Sequence, residues 1–160
     1  MTESNKPKIT KIILIAAIVL CVVFIWSRSF RNASESNAES SAVISFLRPV
    51  LEWLKIPEES WSHLVRKTAH FTEFFIIGLL LSALFRGRHI LFPLLIGFLV
   101  AAADETIQLF ISGRSGEFSD VLLDTAGATA AMLIVYGAVG LYRVRKKKKA
   151  GKTIGKESQK

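Results

Sequence analysis

Among the polar groups inside or against the long apolar runs of this 160-residue chain, one imidazole, five carboxylates, two cations and a carboxamide fall at positions that could bring them together. A charged side chain at the centre of a membrane span costs roughly 2.5–3.5 kcal/mol on insertion scales, so chemistry is the first explanation to test for such groups. Lys67, His70 and Glu73 follow one another at i, i+3 and i+6, which puts them within about 120° of one helical face. Asp104, Glu105 and Gln108 fall within about 100° in the next apolar run. Asp120 and Asp124 share a stripe at i, i+4 in the last, with Arg114 on the short connection before them. The residues suited to proton transfer are His70, Glu73, Asp104, Glu105 and Asp120. Those suited to holding a substrate are Lys67, Gln108, Arg114 and Asp124.

Three roles fit His70. It can pair with Glu73 or Asp104 to hold helices together. It can act as a general acid or base, since burial and neighbouring carboxylates together set its proton affinity. It can ligate a metal with Asp104, Glu105 or Asp120, although no His-x3-His or paired-Cys spacing defines such a site, and no metal is assigned. Arg114 serves either as a loop tether to Glu117 or Asp120 or as an anion hook. No nucleophile stands out, because Ser115 and Ser119 are loop serines without an evident base. Whether the chain is an enzyme, and which cofactor it would use, stay open.

These groups need elements to position them, and composition says which. The chain is 51% apolar with a mean hydropathy of +0.39 despite 21% charged residues, so its apolar residues must be gathered in blocks. That is membrane-protein composition, not that of a disordered or disulfide-stapled chain. The blocks are Ile9–Trp26, Lys67–Phe85, His89–Ile111 and Val121–Tyr142. About 20 helical residues cross a hydrocarbon core near 30 Å, and runs such as Ile76-Ile77-Gly78-Leu79-Leu80-Leu81 lack the alternation of a barrel strand. The expected fold is an all-α membrane protein of four transmembrane helices. Between the first two, a polar stretch Asn32–Ser41 precedes an amphipathic segment, Val43–Ile56, lying along the interface; Pro49 should bend or split it, and Trp53 and Trp61 suit the headgroup region. Arg86-Gly87-Arg88 makes a tight hairpin, and Gly113 and Gly116 supply turns in the last connection. The first span reads as an uncleaved anchor, with Cys21 at lipid depth.

Four spans put both termini on one side. That side, with the Arg86 and Arg88 turn, carries 14 basic residues against 7 in the other two connections, so both termini are expected in the cytoplasm. Glu73 then lies about 9 Å in from Lys67, Asp104 about 10 Å in from Ile111 and Asp124 about 6 Å in from Asp120, all near the outer face. Three helices thus bring polar groups to one level, around one outward-facing cavity.

Lys67-Thr68-Ala69-His70-Phe71-Thr72-Glu73-Phe74, Asp104-Glu105-Thr106-Ile107-Gln108, Gly113-Arg114, Asp120-Val121 and Gly127 resemble, in order and spacing, the motif set of VanZ-like membrane proteins. The resemblance covers residues 64 to 142. Ser112 stands where a proline often precedes the Gly-Arg, and Asp124 where asparagine is common. The resemblance implies an integral cell-envelope membrane protein, with a link to low-level resistance to the glycopeptide teicoplanin and no settled activity. Some relatives carry a phosphotransbutyrylase label, which this sequence does not support: it has no glycine-rich phosphate loop and no soluble domain for an acyl-CoA.

The expected organisation is an N-terminus and first span (1–31), an outer loop with the amphipathic segment (32–63), a three-helix core (64–142) and a tail (143–160). The tail holds nine basic residues and one acidic one. Its run Arg143–Lys149 suits the anionic cytoplasmic leaflet, at about 1 kcal/mol per cation, and not nucleic acid. The expected partner at the outer cavity is a membrane lipid or a lipid-linked cell-wall intermediate. Acid–base or hydrolytic chemistry on such a lipid is the leading reading; a non-catalytic envelope protein that binds a headgroup or alters antibiotic access is the other.

Overall fold

A computed structural model of the chain describes residues 6–114 and 116–157, with side chains described from Lys8 to Lys148 apart from Ala33 and Ser115. Ser115, and the tail's basic side chains from Lys149 on, lie outside the described residues. The elements are α1 (Lys6–Ser29), α2 (Ala33–Trp53), a 3-10 turn (Glu58–Ser60), α3 (Trp61–Leu84), α4 (Leu91–Leu109) and α5 (Phe118–Glu157). Helices α1, α3, α4 and α5 are long and apolar enough to cross a membrane. All five helices are linked by short connections, and no strand occurs among the described residues.

The polar stretch after the first span is not the loop its composition suggests. Asn32 accepts a hydrogen bond from the Glu35 backbone N–H at 2.9 Å, and the Glu35 carboxylate accepts one from the Asn32 N–H at 3.2 Å. This reciprocal capping box starts α2 directly behind α1. Pro49 does not split α2. Its missing N–H forfeits one bond, near the helix end, and the helix runs one more turn to Trp53 before Lys55, at φ 55°, turns the chain. Ser36 and Ser40 are buried, while Phe46, Val50 and Trp53 are exposed, so the packed side of the first half of α2 is polar and much of its apolar side faces outward.

Helix α3 begins at Trp61, six residues before Lys67, because the buried Trp61 indole donates to the Ile56 carbonyl at 2.8 Å and anchors an extra turn. Arg66 and Lys67 therefore sit in the second turn of a helix and not at its entry. α3 packs mainly on α5. A Cβ on Gly78 would stand 2.4 Å from the Ala128 carbonyl oxygen, and one on Gly127 2.5 Å from that of Phe71, so both glycines are required by backbone approach. Phe74, Ile77 and Leu81 fill the resulting seam with Ala128 and Met132, and Ala101 of α4 and Ile25 of α1 close it.

The α3–α4 hairpin is as tight as Arg86-Gly87-Arg88 implies, with Arg86, Gly87 and His89 at positive φ and the Gly87 N–H bonded to Ser82 O at 3.0 Å. In the α4–α5 connection Gly113 has φ 78°, as a turn glycine should. Gly116 serves a different need: a Cβ there would lie 2.5 Å from the Leu109 side chain. Helix α5 continues without a break from the last span through the basic run. One end of the bundle thus holds the α1–α2 junction and the α4–α5 loop, and the start of α1 and the far end of α5 lie at the other.

Candidate functional site

Asp104 lies at the centre of the first of these ends and is fully buried. A buried carboxylate needs donors for its oxygens. Ser29 Oγ, from the last residue of α1, donates to Oδ1 at 2.6 Å. Gln108 Nε2, one turn on in α4, donates to Oδ2 at 3.0 Å. His70 Nδ1 stands 3.9 Å from that same Oδ2 and 3.8 Å from Oδ2 of Asp124. Both distances exceed a direct hydrogen bond, so the imidazole stands between two carboxylates and bonds neither. Asp124 is 1% exposed, and its Oδ1 has no hydrogen-bond partner.

The His70 ring is only partly covered, and its open side lines a polar cavity of about 90 Å³ together with Arg66, Lys67, Gln108, Arg114 and Asp120. On its rim Lys67 Nζ meets Asp120 Oδ1 at 2.7 Å, joining α3 to α5. Arg114 does not tether the loop: among the described residues it forms no ion pair, and its Nε is buried without an acceptor. Burial, and then the neighbouring Arg66 charge, pull the Arg114 guanidinium below its usual range.

The remaining carboxylates are placed differently. Glu73 meets Arg28 at 3.4 Å, and Arg28 also binds Glu39 of α2 at 3.1 Å, while Arg31 pairs with Glu39 as well. Arg28, Glu39 and Glu73 line a recess of about 20 Å³, with His70, Arg66 and Arg114 on its other walls. Beyond them an apolar groove of about 530 Å³ opens between α2 and α3. Glu105 turns away from this cluster. Its Oε1 accepts the Glu117 backbone N–H, which ties α4 to the start of α5, and it borders a separate recess with Phe98, Leu109 and Phe118. His63, which looks like a boundary residue in the sequence, also lines the polar cavity. Ser119 Oγ donates to the Glu117 carboxylate at 3.1 Å, but it is exposed and lines none of the cavities around His70.

Helical spacing explains why these side chains meet. Lys67, His70 and Glu73 form one stripe of α3, Asp104 and Gln108 are one turn apart on α4, and Asp120 and Asp124 one turn apart on α5. Ser29, Arg28 and Arg66 were not among the residues that spacing selected. The first two end a span that reads as a simple anchor, and Arg66 lies one residue before the Lys67, His70 and Glu73 stripe. For a metal, the donor set is His70, Asp104 and Asp124, whose ligand atoms lie within 4.8 Å of one another. Ligand distances of about 2.0–2.6 Å would fit a divalent ion among them. The geometry therefore provides an imidazole flanked by buried carboxylates, able to accept and return a proton, beneath a cavity rimmed by cations.

Searches of the curated proteins and of the solved structures return no match. The family model described as VanZ/LLP1 matches residues 13–141, from Ile13 in α1 to Leu141 in α5. The match takes in the first helix, in keeping with the bond from Ser29 to Asp104. The chain belongs to the VanZ/LLP1 family.

Proposed function

We propose that this VanZ-like membrane protein is an enzyme of the cell envelope, which uses His70 for acid–base, hydrolytic chemistry on an envelope lipid or a lipid-linked cell-wall intermediate. The observation that carries the reading is the placement of His70 Nδ1 3.8–3.9 Å from two buried carboxylates, with the ring open to the polar cavity. The two carboxylates would stabilise the imidazolium formed when the ring takes a proton through its other nitrogen. A water in the cavity is the proton donor; its oxygen attacks the headgroup, and the proton returns from His70 to the departing oxygen. Asp104 is the positioning group, held by Ser29 and Gln108. Lys67, Asp120 and Arg114 form the rim that binds a polar headgroup.

A lipid substrate is supported by the groove between α2 and α3, which shares Arg28, Glu39, Arg66 and Glu73 with the recess beside His70. By the distribution of basic residues the site faces outward and both termini are cytoplasmic, which would place the reaction where wall precursors and glycopeptides meet. Altered precursor or lipid composition is then the route to a change in teicoplanin susceptibility.

The test pairs membrane-inserted protein level with lipid composition and glycopeptide susceptibility in cells producing the wild-type chain, His70→Gln or Asp104→Asn. Normal protein with lost activity supports catalysis. Normal protein with an unchanged lipid profile and phenotype contradicts it, and an effect on susceptibility without any lipid change favours the headgroup-binding role.

A further inference from the structure

The cations at the site end differ in how they are satisfied. Lys67 is held by Asp120 and Arg28 by Glu39 and Glu73, while Arg31 is also held by Glu39. Arg66 and Arg114 have no ion pair and no side-chain hydrogen bond among the described residues, although both are only partly exposed. The Arg114 Nε is buried with no acceptor, a costly state for a guanidinium donor. The two are neighbours, since both line the polar cavity and both line the recess beside His70. Like charges held together in a half-buried site, with open donors, call for an anion between them.

The identity of the anion follows from donor number and surroundings. Two guanidinium forks present more N–H groups than the two oxygens of one carboxylate can accept, whereas phosphate oxygens match them bidentately. Arg66 also lines the groove between α2 and α3, whose walls include Val43, Leu47, Leu51, Leu64 and Val65. One residue thus borders both a phosphate-sized polar space and a space suited to hydrocarbon. Glu39 and Glu73 stand at the junction, but Arg28 and Arg31 offset them.

We infer that Arg66 and Arg114 form a clasp for the phosphate of a lipid headgroup, whose hydrocarbon chain lies in the groove between α2 and α3. The lipid enters sideways from the bilayer, passes the Arg28–Glu73 pair and brings its phosphate beside His70. This deepens the proposed function and rests on it for the fate of the lipid after binding, but the clasp itself is tested by binding alone.

The experiment uses the full chain in detergent, with retained lipid read by native mass spectrometry. The probes are dioleoyl phosphatidic acid, dioleoylglycerol, which lacks the phosphate, and inorganic phosphate. One phosphatidic acid per chain is expected to survive in a protein whose tail carries Lys146→Gln, Lys147→Gln and Lys148→Gln, which reduces the competing basic surface. In that background Arg66→Gln and Arg114→Gln should each weaken retention at least about tenfold, as expected for loss of a charge-assisted pair. Arg66→Lys should recover only part of it, because it keeps the charge and loses the fork. Leu47→Trp, which fills the groove, should weaken retention while leaving both arginines in place. Equal retention of dioleoylglycerol, or full retention by both Gln variants at wild-type helicity, overturns the clasp. Displacement of the lipid by equimolar inorganic phosphate, with no effect of Leu47→Trp, overturns the lipid part and leaves a free-phosphate site. Failure of the binding test with lipid turnover intact would remove the clasp and spare the catalytic reading; clasp binding without turnover would do the reverse.

Discussion

Ser29 Oγ donates to Asp104 Oδ1 at 2.6 Å across 75 residues of sequence, and that bond makes the first helix part of the site. One residue earlier, Arg28 adds its pair with Glu73. With the Ser29 bond, the end of α1 fixes one carboxylate oxygen while Gln108 fixes the other, and Asp104 can face His70 in one orientation.

Ser29→Ala should therefore destabilise the protein by about 1–3 kcal/mol, the cost of leaving a buried acceptor without its donor. Thermal unfolding in detergent measures this. Ser29→Thr, which keeps the hydroxyl, should lose less, and equal stability of Ser29→Ala and wild type would show that the bond adds nothing.

The glycines of the α3–α5 seam make a sharper demand. Gly78→Ala and Gly127→Ala would each place a methyl within 2.4–2.5 Å of a backbone oxygen on the facing helix. Such overpacking costs typically about 1–3 kcal/mol and can be relieved only by parting the helices. Parting α3 from α5 also moves His70 away from Asp124, so unfolding temperature and activity should fall together. Gly137→Ala, which meets nothing within 4 Å, is the neutral control.

Chelation separates the proton-transfer role of His70 from a ligand role. Ser29 and Gln108 hold both Asp104 oxygens, as an orienting carboxylate for His70 requires. Dialysis of the purified protein against EDTA should leave lipid turnover unchanged. Loss of turnover on dialysis, restored by Mn²⁺, would assign His70, Asp104 and Asp124 to a metal centre.

Topology can be tested on described, exposed positions. With Cys21 replaced by alanine, a cysteine at Ser112 should react with an impermeant thiol reagent in intact cells, and one at Lys147 only after permeabilisation. The opposite pattern would put the cavity on the cytoplasmic side and remove wall precursors as substrates.

The fold was largely legible because membrane spans announce themselves by length: all four apolar blocks correspond to helices, each extended at one end or both or trimmed by a couple of residues. Helix α2 was half legible. The apolar spacing of Val43–Ile56 was visible, but the polar Asn32–Ser41 stretch hid a helix whose only sequence sign is the Asn32–Glu35 capping pair. At the site, periodicity places His70, Asp104 and Asp124 on facing stripes. It cannot say which way Glu105 turns, because that depends on the Glu117 backbone N–H in a connecting loop. Nor can it select Arg66 or Ser29, whose roles come from the helices they meet. A lone serine at the end of an anchor carries no period.

The most direct test of the central claim is lipid mass spectrometry of cells that lack the chain, produce it, or produce His70→Gln at matched membrane abundance. Removing proton transfer typically lowers rate by about a hundredfold to ten-thousandfold. The wild-type chain should change the level of at least one envelope lipid or lipid-linked species, and His70→Gln should return it to the level of cells without the chain. A His70→Gln profile identical to that of the wild type would contradict catalysis at this site.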